Sequence, residues 1–335
     1  MSTYRAGFAK GDLTCFERGT GMFGWCQPYN VALEVAAPLE VRAVVVEDAA
    51  RRRFLLAVCD LGFISTALRR EVEQRCLARG LIDTPSALML AATHTHSGPT
   101  GYAEHLLYAL SAPGYFPLLV QALAERVVDA LARAHDTLQP AQLRVGVEPV
   151  PLDEPVAFNR RLEAYNRNPE VVPLPPERAA EAVDRRMTVL WAEHAHTGRP
   201  LGLVSWLGLH GTTLHADHQA LHPDHKGLAA TQVEQVLGGG FVALFAQGAA
   251  GDVTPNHRPS PRGFEVGKYD DDHHSAHFVA RVQAEQALAI MQSHAREAPL
   301  APELSTTWAR RDFHAAPVEP RDNLHRLRFY LYCNK

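Results

Sequence analysis

Apolar runs rich in β-branched residues alternate along this chain with longer stretches of helical period, the pattern of helices packed on a sheet. Residues 41–46, 54–60, 87–93, 142–147, 187–191, 201–209 and 241–247 are predicted strands, and their near-continuous apolar character implies burial on both faces. Residues 66–79, 117–135, 226–237 and 275–295 have the length and periodicity of helices. In the second of these, Leu118, Leu119, Leu123, Val127 and Leu131 form one stripe, which is expected to face the core. Pro-rich residues 168–177 and residues 256–267 read as loops rather than linkers, and no repeat of solenoid length appears. The expectation is an α/β fold, a mixed sheet flanked by helices, with a catalytic domain over residues 1–297. Residues 298–335 carry one strand-like run, 305–313, and end in the apolar, aromatic RLRFYLYCNK. Termini are usually exposed and polar, so this segment is expected to be a partial extension of the domain, cut short.

Composition narrows the partners more than the fold. With 33 Lys+Arg against 37 Asp+Glu, a formal charge of -4 and no long basic run, the chain is not built to neutralise a nucleic-acid backbone. The short run Arg51, Arg52, Arg53 reads as a solvated hairpin turn. Five cysteines without a CxxC pair suit a reducing compartment. No signal-peptide pattern opens the chain and no window holds the ~20 apolar residues of a spanning helix. A cytoplasmic protein without a transmembrane segment is expected, or a secreted one if a leader precedes this sequence; its oligomeric state stays open.

The chemistry gathers where predicted strands end. His94 and His96 follow the run SALMLAA, and if the strand extends through them both imidazoles point to one face at its carboxyl end, where open α/β sheets place their ligands. The run GLVSWLGLH delivers His210 in the same way. Two strands feeding imidazoles to one edge suit a metal centre, and zinc fits best, since it accepts neutral imidazole and tolerates an open position for water. Water on such an ion can fall from a pKa of 15.7 to about 7, giving hydroxide at neutral pH.

Other clusters read two ways. The segment LHADHQALHPDHKG offers His215, His218, His222 and His225 as further ligands or as a solvated loop, with Asp224 as a cap of the next helix. DDDHHSAH, ending at His277, reads first as a helix N-terminus, where acidic residues suit the macrodipole, with metal binding as the alternative. In GDVTPN, Thr254 is placed either to orient or attack a substrate or to stabilise a turn before proline.

Taken in order, these segments resemble the neutral/alkaline ceramidase family. The resemblance is carried by GDLT from Gly11, MFGWCQP from Met22, Arg42 in an Arg-Ala-Val strand and ATHTHSGPTGY from Ala92. It continues through Asn159-Arg160, HGTT from His210, PDHKG from Pro223 and GDVTPN from Gly251, covering residues 6–256. It implies a zinc amidase that cleaves the N-acyl bond of ceramide, a lipid-like substrate, to sphingosine and a fatty acid. By position, His94 and His210 would hold Zn2+. His96 and Arg160 would line the site, holding substrate and stabilising oxyanion charge, and Thr254 would stand where the family has an essential serine. The family's glutamate and tyrosine ligands have no counterpart here, so Asp224 or a histidine of the 215–225 loop is expected as a substitute unless the chain is incomplete. A catalytically impaired protein that keeps the fold and binds metal or an acyl ligand is the alternative. A metal-independent hydrolase using Ser97 or Thr254 is a weaker third reading.

Overall fold

The computed structural model describes residues 3–27, 29–105 and 114–309, and the chain path follows the predicted alternation closely. Strand β1 (Tyr4–Asp12) pairs antiparallel with β2 (Glu40–Glu47), which turns through the Arg51–Arg53 hairpin into β3 (Arg53–Cys59). Helix α1 (Thr66–Ala78) crosses to β4 (Leu88–Ala92), parallel to β3. Helix α2 (Pro117–Asp136) leads back to β5 (Gln139–Pro149) on the far side of β1. The antiparallel strands β6 (Arg186–His194) and β7 (Pro200–Leu207) extend the sheet. Helix α3 (Asp224–Leu237) crosses to β8 (Val242–Gln247), parallel to β7, and α4 (Asp272–Ser293) follows. Among the described residues the sheet order is β8-β7-β6-β5-β1-β2-β3-β4.

This mixed sheet folds back on itself. Edge strand β8 touches β2, β3 and β4 from the opposite end of the order. Between the two halves lies a core supplied by strands alone, including Tyr4, Ala6, Val44, Val46, Leu56, Leu143, Val204 and Leu244. Helices α1 and α2 cover the outer face of one half through Leu68, Val72, Leu123 and Val127. Helices α3 and α4 cover the other half over Trp191, Leu203 and Phe245. Four layers, helix, sheet, sheet and helix, explain why so many strand runs are apolar on both faces. Glycine permits a close crossing: a Cβ on Gly202 of β7 would lie 2.4 Å from the ring of Phe8 on β1.

Two local expectations are corrected. Leu118 is 79% exposed, because the buried face of α2 runs through Val120, Leu123, Ala124, Val127, Val128, Leu131 and Ala134 and Leu118 falls outside it. Residues 256–267 are not a plain loop: Arg258–Pro259 pairs with Glu265–Val266. The strand-like run at 305–313 is irregular through Ala309, and its remainder, with the RLRFYLYCNK ending, lies outside the described residues. No helix among the described residues is long and apolar enough to cross a membrane.

The halves are also joined by charge. Arg42 of β2 is buried and donates to Glu234 of α3 at 2.9 Å and to Asp60 at 3.4 Å, while also bonding Glu40. Lys10 of β1 reaches Glu234 at 2.7 Å. Burial raises the Asp60 carboxyl to about 6 even beside Arg42. Removing one partner from such a cluster strands the other charges without water, at a cost of about 3–5 kcal/mol. Arg42→Met should therefore lower unfolding free energy by about that amount, measured by urea denaturation; a change within the scatter of surface variants would contradict the role given to Arg42.

Candidate metal centre

Four chain segments meet at the carboxyl ends of the two parallel strand pairs. After β4, His94 takes a left-handed backbone with φ of +66°, so the strand does not run through His94 and His96 as expected. A non-glycine residue is strained in this region and is held there only by its surroundings. Here the holding contacts are the His94 N–H donated to the Leu61 carbonyl at 3.0 Å and the His96 N–H donated to Gly211 at 3.0 Å. The turned His94 carbonyl sits so close to Gly211 that a Cβ there would lie 2.3 Å from it. Gly211 is thus required by the turn at His94. His210, just before it, follows β7 and donates its own N–H to the Val253 carbonyl at 3.1 Å.

The result is a convergence of three imidazoles. His94, His96 and His210 offer donor atoms that all lie within 4.8 Å of one another, and these residues could hold a metal ion. The Nε2 atoms of His94 and His210 are 3.0 Å apart, and those of His96 and His94 are 3.4 Å apart. Behind them, His94 Nδ1 donates to the Gly62 carbonyl and His210 Nδ1 donates to the Ala250 carbonyl at 2.9 Å. Each of those bonds fixes the proton on Nδ1 and leaves a lone pair on Nε2. Two lone pairs facing each other repel, whereas a four-coordinate ion with bonds of about 2.0–2.1 Å holds its ligand atoms about 3.3–3.4 Å apart. The donor set and spacing fit a metal.

His96 is held differently. Its Nδ1 is buried and has no hydrogen-bond partner among the described residues, and Gly24, at φ of +110°, leaves room for the ring where a Cβ would lie 2.3 Å from Nδ1. Trp25 meets the ring edge-on at 5.3 Å and Phe23 at 6.3 Å. Burial lowers the pKa of all three histidines, that of His210 to about 4, and the Arg160 cation lowers them further, so they are neutral lone-pair donors at pH 7.

Arg160 and Thr254 come from a ladder beside His210. The pair Phe158–Asn159 forms a two-residue ladder with Val253–Thr254. Arg160 follows it, donating its N–H to Asp252 at 2.9 Å and its guanidinium to the Gly251 carbonyl. Thr254 is buried, one residue past the carbonyl that holds His210, and its Oγ1 accepts the Asn256 N–H at 3.1 Å. The ladder is thus tied to His210 through the backbone of Val253.

The expected substitute ligands do not reach it. Asp224, at φ of +56°, spends its carboxylate on the Thr213 hydroxyl and on the N–H of His225 at 2.6 Å, and it begins α3 rather than capping it. His215 is clasped by Asp272 at 3.0 Å and stacks on Trp25. His225 donates to the His210 carbonyl at 2.9 Å and accepts from Gln283 at 2.9 Å. Most of this histidine loop is buried, not solvated, because its side chains fill the space between the triad and α4. Sequence reading missed the Gly62 and Ala250 carbonyls and the Trp25 wall; the aromatic residues in MFGWC were the one available signal.

Fold and site together define a mixed α/β protein with three histidines that could hold a metal ion at the carboxyl ends of its strands. The chain belongs to the neutral/alkaline non-lysosomal ceramidase family, whose N-terminal model matches residues 4–325. It is 32% identical to the neutral ceramidase of Pseudomonas aeruginosa over 322 residues, covering 95% of this chain and 46% of that protein. Neutral ceramidase A of Dictyostelium discoideum is 29% identical over 269 residues, covering 77% of this chain and 36% of that protein. A solved ceramidase complexed with C2 superposes with a TM-score of 0.80 at 30% identity, over 89% of this chain and 45% of that one. The crystal structure of the Pseudomonas aeruginosa neutral ceramidase gives 0.79 at 30% identity, over 89% and 46%. The chain thus spans less than half the length of these relatives.

The buried histidines make stability depend on acid. Burial depresses His222 and His225 to about 3, below the about 6.5 of an exposed imidazole. Unfolded chain takes up protons on both as pH falls through 6.5 while the folded protein does not, so their contribution is full above 6.5 and lost toward 3. The melting temperature in chelator should fall steadily from pH 6.5 to 4.5; a flat profile would contradict this.

Proposed function

We propose that this protein is a zinc-dependent amidase that hydrolyses the N-acyl bond of ceramide, or of a closely related N-acyl lipid, to a sphingoid base and a fatty acid. The observation that carries the reading is the facing of the His94 and His210 Nε2 lone pairs at 3.0 Å, fixed from behind by backbone carbonyls. Family membership supports the substrate class. Zinc is the natural ion for neutral imidazoles, and when bound it supplies hydroxide at neutral pH and polarises the amide carbonyl.

The remaining roles fall to the residues around it. Arg160, whose charge acts on all three imidazoles, stabilises the negative charge that develops on the carbonyl oxygen as the nucleophile adds to the amide carbon. His96, a neutral ring whose Nε2 stands 3.4 Å from that of His94, holds substrate beside the ion. Thr254 stands at the family's essential serine position and offers a hydroxyl to the reacting carbonyl, its added methyl narrowing the approach.

The test is turnover of N-acylsphingosine by zinc-loaded protein, with fatty acid release measured. Thr254→Ala and Arg160→Ala should each cost about 10²–10³ in kcat, the range seen when one transition-state contact is removed. Thr254→Ser should retain activity, and His94→Ala should lose both zinc and turnover. Equal turnover by His94→Ala and the parent protein would sink the proposal.

A further inference from the structure

Away from the triad, four more imidazoles gather where the histidine loop meets the start of α4. His218 ends the short turn Ala216–His218, and His222 follows the strand Ala220–Leu221. His273 and His277 lie four apart on α4 and therefore share a face. The ring centroids of His218 and His273 are 4.7 Å apart, those of His222 and His273 5.4 Å, and those of His218 and His222 6.0 Å. His277 stands one turn beyond His273 on that face, the spacing at which two helical imidazoles reach one ion. Within the triad the centroids stand at 4.5 and 5.0 Å, and imidazoles sharing a tetrahedral ion have centroids about 5 Å apart.

Ordinary hydrogen bonding does not account for this group. The Nε2 of His218 is buried and has no hydrogen-bond partner among the described residues, an uncompensated cost inside a protein. The nearby carboxylates do not supply one: Asp217 and Asp272 both receive Arg262, at 2.6 Å and 2.8 Å. His222 is the exception. Its Nδ1 accepts the Asp224 N–H at 2.9 Å, so in the neutral ring the proton sits on Nε2 and no lone pair is left for an ion. That leaves His218, His273 and His277 with donor atoms to offer. These are looser than the triad, which alone forms a tight donor group among the described residues. His273 is half-buried and His277 exposed, so both have the rotamer freedom to close on an ion.

We propose that His218, His273 and His277 form a second metal site, selective for a nitrogen-preferring first-row divalent cation such as zinc, nickel or copper. It shares no ligand with the hydrolytic centre and its role is structural. The His222 carbonyl accepts the Thr95 hydroxyl at 2.7 Å, and the His222 N–H donates to the Ser97 carbonyl at 3.0 Å. An ion joining His218 to α4 therefore pins the loop that backs His94 and His96.

The test blanks the first centre. In His94→Ala/His210→Ala protein, zinc titrated against a chromophoric chelator should still occupy one site per chain and raise the melting temperature. Adding His273→Ala and His277→Ala should abolish both effects, whereas His274→Ala, on the same helix turn, should change neither. Should the first pair of substitutions impair folding, the parent protein serves instead, binding two zinc ions per chain against one for His273→Ala/His277→Ala. No residual site, or a residual site indifferent to the α4 substitutions, overturns the proposal.

Discussion

The structure turns on two hydrogen bonds. Backbone carbonyls of Gly62 and Ala250 take the Nδ1 protons of His94 and His210, and so leave two lone pairs aimed at each other. That arrangement is repulsive in isolation and is relieved when a cation sits between the rings, so the pair is suited to hold a metal ion. The rest of the active region either supplies those carbonyls or holds the rings against them.

The architecture explains how the carbonyls come to be there. Gly62 follows β3 and Ala250 follows β8, so each carbonyl comes from the strand parallel and adjacent to the one that delivers its histidine. Two parallel pairs in opposite halves of a folded sheet thus bring their carboxyl ends together, as α/β folds do at their ligand sites. The cost is local: a left-handed His94 and a Gly211 that can carry no side chain. Ser65 links the outer layers to this point, capping α1 through Leu68 while donating to the Tyr102 carbonyl at 2.7 Å.

Much of this was legible in the sequence because buried strands and long helices leave strong periodic signals, and residues 41–46, 54–60 and 241–247 reappear as β2, β3 and β8 with shifts of a residue or so. Strand β1 was not. Its sequence YRAGFAKGD has no β-branched residue, and at Gly7 the α2 backbone comes so close that a Cβ would lie 2.0 Å from the Ala134 carbonyl oxygen. The ordered motifs singled out His94, His96 and His210, whose donor atoms lie within 4.8 Å of one another. Their geometry was hidden, since the convergence depends on a left-handed turn and on carbonyl partners that any residue type can supply. The histidine loop misled for a related reason: polar composition suggests solvent, yet His215, His222 and His225 are buried through specific partners that only tertiary structure reveals.

The most direct test of the central claim is anomalous diffraction at the zinc absorption edge from crystals of zinc-loaded protein. The strongest peak should lie within about 2.0–2.1 Å of Nε2 of both His94 and His210, with both Nδ1 atoms still bonded to the Gly62 and Ala250 carbonyls. Zinc bound elsewhere with this pair vacant, or either ring turned to present Nδ1, would contradict the account.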